Sequence, residues 1–382
     1  MTGSKVVILG GGFGGVAAAR TARALLDREH EIVLIDRKRR TYLCGAFPFL
    51  IIGQREPLKV SRSLGRLANR GIRYVEASAT RIDASGRAVH TSVGVFEYDH
   101  LVLATGAEYD WAAVPGAAGA FSFYDIENAK RLRRRLRSLN SGRVAIAVSG
   151  MPYKCPPAPY EAAMVIDWML RRRGVRKAVE IDVYSPEPAP LVVAGREAGR
   201  FLLNEFERRG IALHTGATVS EVAPDGRAAG FSNGDAVQAD VIVTIPIHRM
   251  APIVAESGLA NGAQWLSAGQ ATLETATPGV YAVGDTNVVP MANGQGVPKA
   301  GVFASAEGEV AGANVAASIT GAPPVRFDGK GSCFIAFSGT RAGMVEGNFL
   351  AEGQPRVNLR LPTPGGLRTK ERFERDWRRF RI

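Results

Sequence analysis

Cysteine is scarce in this chain: Cys44, Cys155 and Cys333 are the three among 382 residues. Three cannot build a disulfide scaffold, and in a cytoplasmic protein a lasting disulfide between two of them would be catalytic rather than structural. Histidine is nearly as rare. His30, His90, His100, His214 and His248 sit in no acid–base motif, and no cluster of cysteine, histidine and carboxylate has metal-ligand spacing, so no metal is expected. No apolar run approaches the length of a membrane-spanning helix, and no secretory signal precedes the first strand. These absences lead to the expectation of a cytoplasmic protein, free or peripheral on the cytoplasmic membrane face.

What is abundant narrows the field. Lysine and arginine outnumber aspartate and glutamate by 48 to 36, a net charge of +12, which favours contact with anions. The arginines are scattered over helix faces and no nucleic-acid module is legible, so nucleic acid is not an expected partner. Apolar residues at 46% and charged residues at 22% are ordinary for a folded soluble protein, and the length predicts two or three domains. The 44 glycines suit an α/β fold whose backbone approaches phosphates closely.

Residues 5–9 read as a buried strand, followed by Gly10-Gly-Gly12-Phe-Gly-Gly15, a helical stretch from Val16 to Leu26, and a second strand from His30 to Asp36. This is a βαβ unit with G-x-G-x-x-G at Gly10, Gly12 and Gly15. The glycines allow a tight turn against a pyrophosphate, the helix N-terminus supplies amide donors, and Asp36 can accept from an adenosine ribose. Two further segments, a strand ending Ala104-Thr105-Gly106 and a later one ending Gly284-Asp285, resemble the FAD domain of two-dinucleotide-fold flavoproteins. The resemblance implies FAD, with Asp285 bonded to the ribityl chain and Gly284 giving close backbone approach. The expected fold is α/β: two Rossmann-like dinucleotide-binding folds plus a small C-terminal domain. An FAD domain is drawn at 1–110 and 239–321, with the return at Ala239; a second nucleotide fold at 111–238; and the last domain at 322–382.

The second fold departs from its type. After the strand Arg143 to Ser149, a nicotinamide-binding turn needs glycines; this chain has Gly150-Met-Pro-Tyr-Lys-Cys155-Pro-Pro-Ala-Pro-Tyr-Glu161. Its NAD(P) site is degenerate. Cys155 stands just before a helix whose dipole, with Lys154, favours a thiolate; the alternative is a small buried core cysteine.

The segment Tyr153 to Glu161 resembles the redox-cysteine segment of sulfide-oxidising flavoproteins, namely the flavoprotein subunit of flavocytochrome c sulfide dehydrogenase and the sulfide:quinone oxidoreductases. Gly329-Lys-Gly-Ser-Cys333-Phe resembles their C-terminal cysteine segment, Pro298-Lys299-Ala-Gly301 their loop beside the flavin, and Thr41-Tyr-Leu-Cys44 the cysteine that links covalently to FAD in the sulfide dehydrogenase. The resemblance implies a Cys155–Cys333 redox disulfide opened by sulfide, with electrons passing through FAD to a quinone or a cytochrome. Glu161 is read either as a proton carrier or as a helix-start charge. Lys299 is read either as a positive charge near reduced flavin or as a solvated loop lysine.

Cys44 has a second reading, because Cys44-Gly-Ala-Phe-Pro-Phe also resembles the Cys-Gly-x-Pro stretch of coenzyme A-disulfide reductases. Two rivals therefore stand beside sulfide oxidation: an NAD(P)H-dependent disulfide or quinone reductase, and a non-catalytic flavoprotein or persulfide carrier. The chain end, residues 370–382, sets Phe373, Trp377 and Phe380 at helical spacing among arginines. It reads as a helix lying on a membrane surface, or as one docked on its own protein or on a second subunit of a homodimer.

Overall fold

The computed structural model describes residues 3–380. Its first sheet is wholly parallel, in the spatial order Val280–Ala282, His100–Leu103, Lys5–Leu9, Glu31–Asp36, Arg73–Glu76. Val6, Val7, Ile8 and Leu9 are all buried, as a parallel strand covered on both faces requires. The helix Phe13–Leu25 rises from the glycine turn and lies against the helix Gly301–Thr320. Their backbones meet at glycine: a Cβ on Gly308 would stand 2.1 Å from the carbonyl oxygen of Gly14.

The second sheet is also parallel, in the order Ile211–Thr215, Val179–Ser185, Gly142–Val148, Val241–Ile245. This corrects the expected return to the first fold at Ala239. Val241–Ile245 pairs with Val144–Val148, so the chain leaves the second sheet only after Ile245. A continuous apolar run such as Val-Ile-Val-Thr-Ile satisfies either parallel sheet, and its own pattern does not choose between them. The next strand, Ile247–Met250, pairs antiparallel with Ala107–Asp110, so the two chain crossings lie side by side.

The C-terminal part is an antiparallel meander of Lys330–Ala336, Ala342–Asn348 and Arg356–Thr363, followed by the helix Pro364–Arg378. The Thr363 hydroxyl caps that helix by accepting from the Gly366 amide at 2.9 Å. The aromatic face of the helix points inward. Trp377 is 1% exposed; its ring lies 5.8 Å from that of Phe13. The Arg62 guanidinium covers Trp377 at 4.3 Å and Phe380 at 4.0 Å. Of the two readings of this helix, Trp377 and Phe380 follow the docked one: cation–π contacts and burial occupy them. Arg381 and Ile382 lie outside the described residues. Among the described residues no helix is long and apolar enough to cross a membrane.

Candidate active site

The carboxyl ends of strands from both parallel sheets open onto one cavity of about 650 Å³, closed on another side by the C-terminal meander and helix. This is where doubly wound folds bind ligands. Gly10, Gly12, Asp36, Cys44, Thr105, Gly106, Lys154, Cys155, Glu161, Gly284, Asp285, Lys299 and Cys333 all line it, drawn from segments up to 323 residues apart. Gly15 packs behind the glycine turn.

One end has the shape of a dinucleotide cradle. Gly10 has φ +109°, and a Cβ there would stand 2.2 Å from the carbonyl oxygen of Ala104; a Cβ on Gly15 would stand 1.9 Å from that of Gly10. A Cβ on Gly12 would meet no protein atom within 4 Å, so bare backbone faces the cavity there. Gly12 is also the N-cap of the helix Phe13–Leu25, and no side chain caps that end, which leaves amides for a pyrophosphate. Asp36, closing its strand, accepts from the Gly11 amide at 2.6 Å and the Lys38 amide at 2.7 Å. On the far wall the Thr286 hydroxyl accepts from the Gly106 amide at 2.8 Å. Gly284 donates to buried Glu307 at 2.6 Å. These residues fit FAD.

The other end holds the thiols. All three cysteines are free in the structure. Cys155 has φ +58°, and its amide donates to the Lys299 carbonyl at 2.7 Å, which ties the turn to the loop after Gly284-Asp285. The expected dipole-stabilised thiolate is corrected. Burial, then Glu161 and Cys333, push the Cys155 thiol well above its ordinary range. Burial and Glu161 push Cys333 up to about 12. Desolvation outweighs a partial charge at a helix end.

Glu161 is 1% exposed and accepts from the Ala336 amide at 2.9 Å. Burial pushes it up to about 7, against Lys370 and the Ala336 amide. Lys299, 8% exposed, is no solvated loop lysine. It donates to the carbonyls of Asp285 at 2.9 Å and Asn287 at 2.8 Å, with the Trp265 ring at 3.7 Å, and burial lowers it to about 8.

Sequence reasoning missed several lining groups. Lys370 is buried, donating to the Gly45 carbonyl at 2.7 Å and to Glu374 at 3.2 Å; Glu374 is held in turn by Arg55 at 2.8 Å. Phe334 and Phe373, with centroids 5.8 Å apart, add an apolar wall. The signal was available: Lys370 and Glu374 share the helix face of Phe373 and Trp377, at spacings of three and four residues.

The family model of pyridine nucleotide-disulphide oxidoreductases matches residues 4–308. The chain belongs to that family. It is an FAD-dependent oxidoreductase, and its likeness runs to the sulfide-oxidising flavoproteins. It is 28% identical over 313 residues to the sulfide-quinone reductase of Aquifex aeolicus (strain VF5), covering 78% of this chain and 73% of that one. It is 27% identical over 376 residues to the alternative NAD(P)H-ubiquinone oxidoreductase C1 of Arabidopsis thaliana, covering 86% and 70%. The solved structure of the Aquifex aeolicus sulfide:quinone oxidoreductase superposes with a TM-score of 0.89 at 24% identity, over 99% of this chain and 92% of that one. That likeness is one of fold.

Proposed function

We propose that this flavoprotein oxidises sulfide through Cys155 and Cys333 and hands the electrons to a quinone. The observation that carries the reading is the meeting of two distant cysteines and a buried carboxyl in the cavity that also contains the dinucleotide cradle. In the oxidised protein Cys155 and Cys333 are joined. HS⁻ attacks one sulfur of that bond; the S–S bond breaks, one cysteine carries the new persulfide, and the other leaves as thiolate. A second HS⁻ or another thiol takes the outer sulfur, leaving two reduced cysteines whose rejoining yields two electrons. Gly10, Gly12, Asp36, Gly106 and Asp285 would hold FAD, which would supply the two-electron acceptor when bound. The raised thiols make the departing cysteine a poor leaving thiolate on its own, so the course needs a proton donor at the site. Glu161 holds or moves a proton between the two sulfurs. Phe334 and Phe373 offer the apolar wall a quinone needs.

The NAD(P)H-linked reading, which the Arabidopsis relative keeps open, is disfavoured by one contact set. Glu187, just past the second strand of the second sheet, is the acid a nicotinamide dinucleotide would use. It is 6% exposed and accepts from Tyr153 at 3.0 Å and Tyr160 at 2.7 Å. The test is an anaerobic titration of flavin absorbance. Near-stoichiometric bleaching by sulfide, lost in Cys155→Ser with FAD still bound, is expected; bleaching by NADH and not by sulfide would replace this reading with the reductase one.

A further inference from the structure

Lys154 is a cation on which a carboxylate, Asp285, acts only from beyond ion-pair distance. It lines the cavity beside Cys155, and among the described residues no carboxylate lies within ion-pair distance of it. Its Nζ stands 4.0 Å from Cys44 Sγ and faces two aromatic rings, Tyr109 at 4.8 Å and Tyr124 at 5.9 Å. Two other cavity cations are already engaged: Lys299 by two carbonyls, Lys370 by Glu374 and Gly45. The backbone of Lys154 is fixed as well. The Tyr124 hydroxyl donates to its carbonyl at 2.8 Å, and the Tyr109 hydroxyl donates to the Tyr124 carbonyl at 3.1 Å. Burial works against the charge of Lys154, but Cys44, Tyr109 and Asp285 outweigh it and hold the ammonium above its ordinary range.

A desolvated ammonium is costly unless something compensates it. Aromatic faces and a sulfur compensate weakly and suit a soft, polarisable anion better than a hydrated oxyanion. We propose that Lys154, with Cys44 and the rings of Tyr109 and Tyr124, forms the seat for the anionic sulfur substrate, HS⁻, next to the sulfur of Cys155. The inference rests on the sulfide reading for the identity of the anion; the seat itself rests on an ammonium that no carboxylate among the described residues contacts. Such a site concentrates HS⁻ over neutral H₂S in the cavity that Cys155 and Cys333 also line.

Two measurements test it, both on the FAD-loaded protein. In anaerobic stopped-flow bleaching by sulfide, Lys154→Met should raise the half-saturating sulfide concentration about 10- to 100-fold, the worth of one charge-assisted contact, with the limiting rate changed far less. Lys154→Arg should recover most of the loss. In calorimetry with thiocyanate, a soft anion that does not reduce the cysteines, Cys155→Ser protein should show one site, and the same protein with Lys154→Met should show none. Equal sulfide dependence in wild type and Lys154→Met, or a thiocyanate site absent from the first protein or retained in the second, overturns the proposal. Wild type that is not bleached by sulfide but holds a Lys154-dependent thiocyanate site keeps the anion seat and removes the sulfide reading.

Discussion

Replacing Glu161 by glutamine separates the charge of this carboxyl from its shape. The side chain is 1% exposed, and burial lifts it from an ordinary 4.5 to about 7. A group whose folded value is raised contributes stability that is fully present below its unfolded value and is lost as pH rises through the folded one. Here that window runs from 4.5 to about 7, and at about 1.4 kcal/mol per pH unit it is worth about 3 kcal/mol. Glutamine keeps an oxygen to accept from the Ala336 amide and does not titrate. The wild type should therefore lose about 2 to 3 kcal/mol relative to Glu161→Gln between pH 5 and pH 8.5, read from denaturant midpoints of the two proteins at each pH. Because the Glu161 carboxylate raises both Cys155 and Cys333, iodoacetamide should also label the reduced cysteines of the variant several-fold faster at pH 8.5. Parallel stability curves for the two proteins, together with equal labelling, would refute the assignment of a buried carboxyl that ionises near neutrality beside the thiols.

Three further outcomes follow from the cavity walls. Gly12→Ala, whose new Cβ meets no protein atom within 4 Å, should leave the apoprotein's melting temperature unchanged while weakening FAD retention about tenfold; Gly15→Ala, whose Cβ would stand 1.9 Å from the Gly10 carbonyl oxygen, should destabilise the apoprotein itself by about 1–3 kcal/mol. Cys44→Ser should release all its FAD into the supernatant on acid precipitation, and wild type that does the same carries no covalent flavin at Cys44. Trp377→Ala should cost about 3–5 kcal/mol in chemical denaturation, since its ring fills the contact between Phe13 and Arg62; a change near zero would return the terminal helix to the surface.

The first nucleotide fold was legible residue by residue because its signals are local. A buried strand, three glycines at fixed offsets and a terminal acid are each set by neighbours within thirty positions, and the structure has Gly10, Gly12, Gly15 and Asp36 around one turn. What failed to read was what depends on distant partners. Val241–Ile245 is apolar at nearly every position, so its pattern admits either sheet, and its place is set by pairing with Val144–Val148. The thiolate expected at Cys155 came from a helix end and an adjacent lysine, both visible in sequence. What overrides them is burial by other parts of the fold, joined by the charges of Glu161 and of Cys333, 178 positions away. The terminal helix was ambiguous because aromatic residues flanked by arginine suit a lipid surface and a protein groove equally.

That helix also shows how the charges of the cavity are arranged. The surface carries the excess of lysine and arginine, yet the cavity wall alternates in sign: Lys154 near Cys44, Glu161 near Cys155 and Cys333, Lys370 paired to Glu374. A carboxylate near both thiols disfavours thiolates there, whereas the Lys154 ammonium favours an arriving anion. Opposite charges, Lys154 one residue and Glu161 six residues from Cys155, thus divide the labour of sulfur exchange, so that the protein's own sulfurs wait as a disulfide and the negative charge comes in with the substrate. Removing either charge should slow the exchange for a different reason: without the ammonium the anion is not gathered, and without the carboxyl the leaving thiolate has no nearby proton donor.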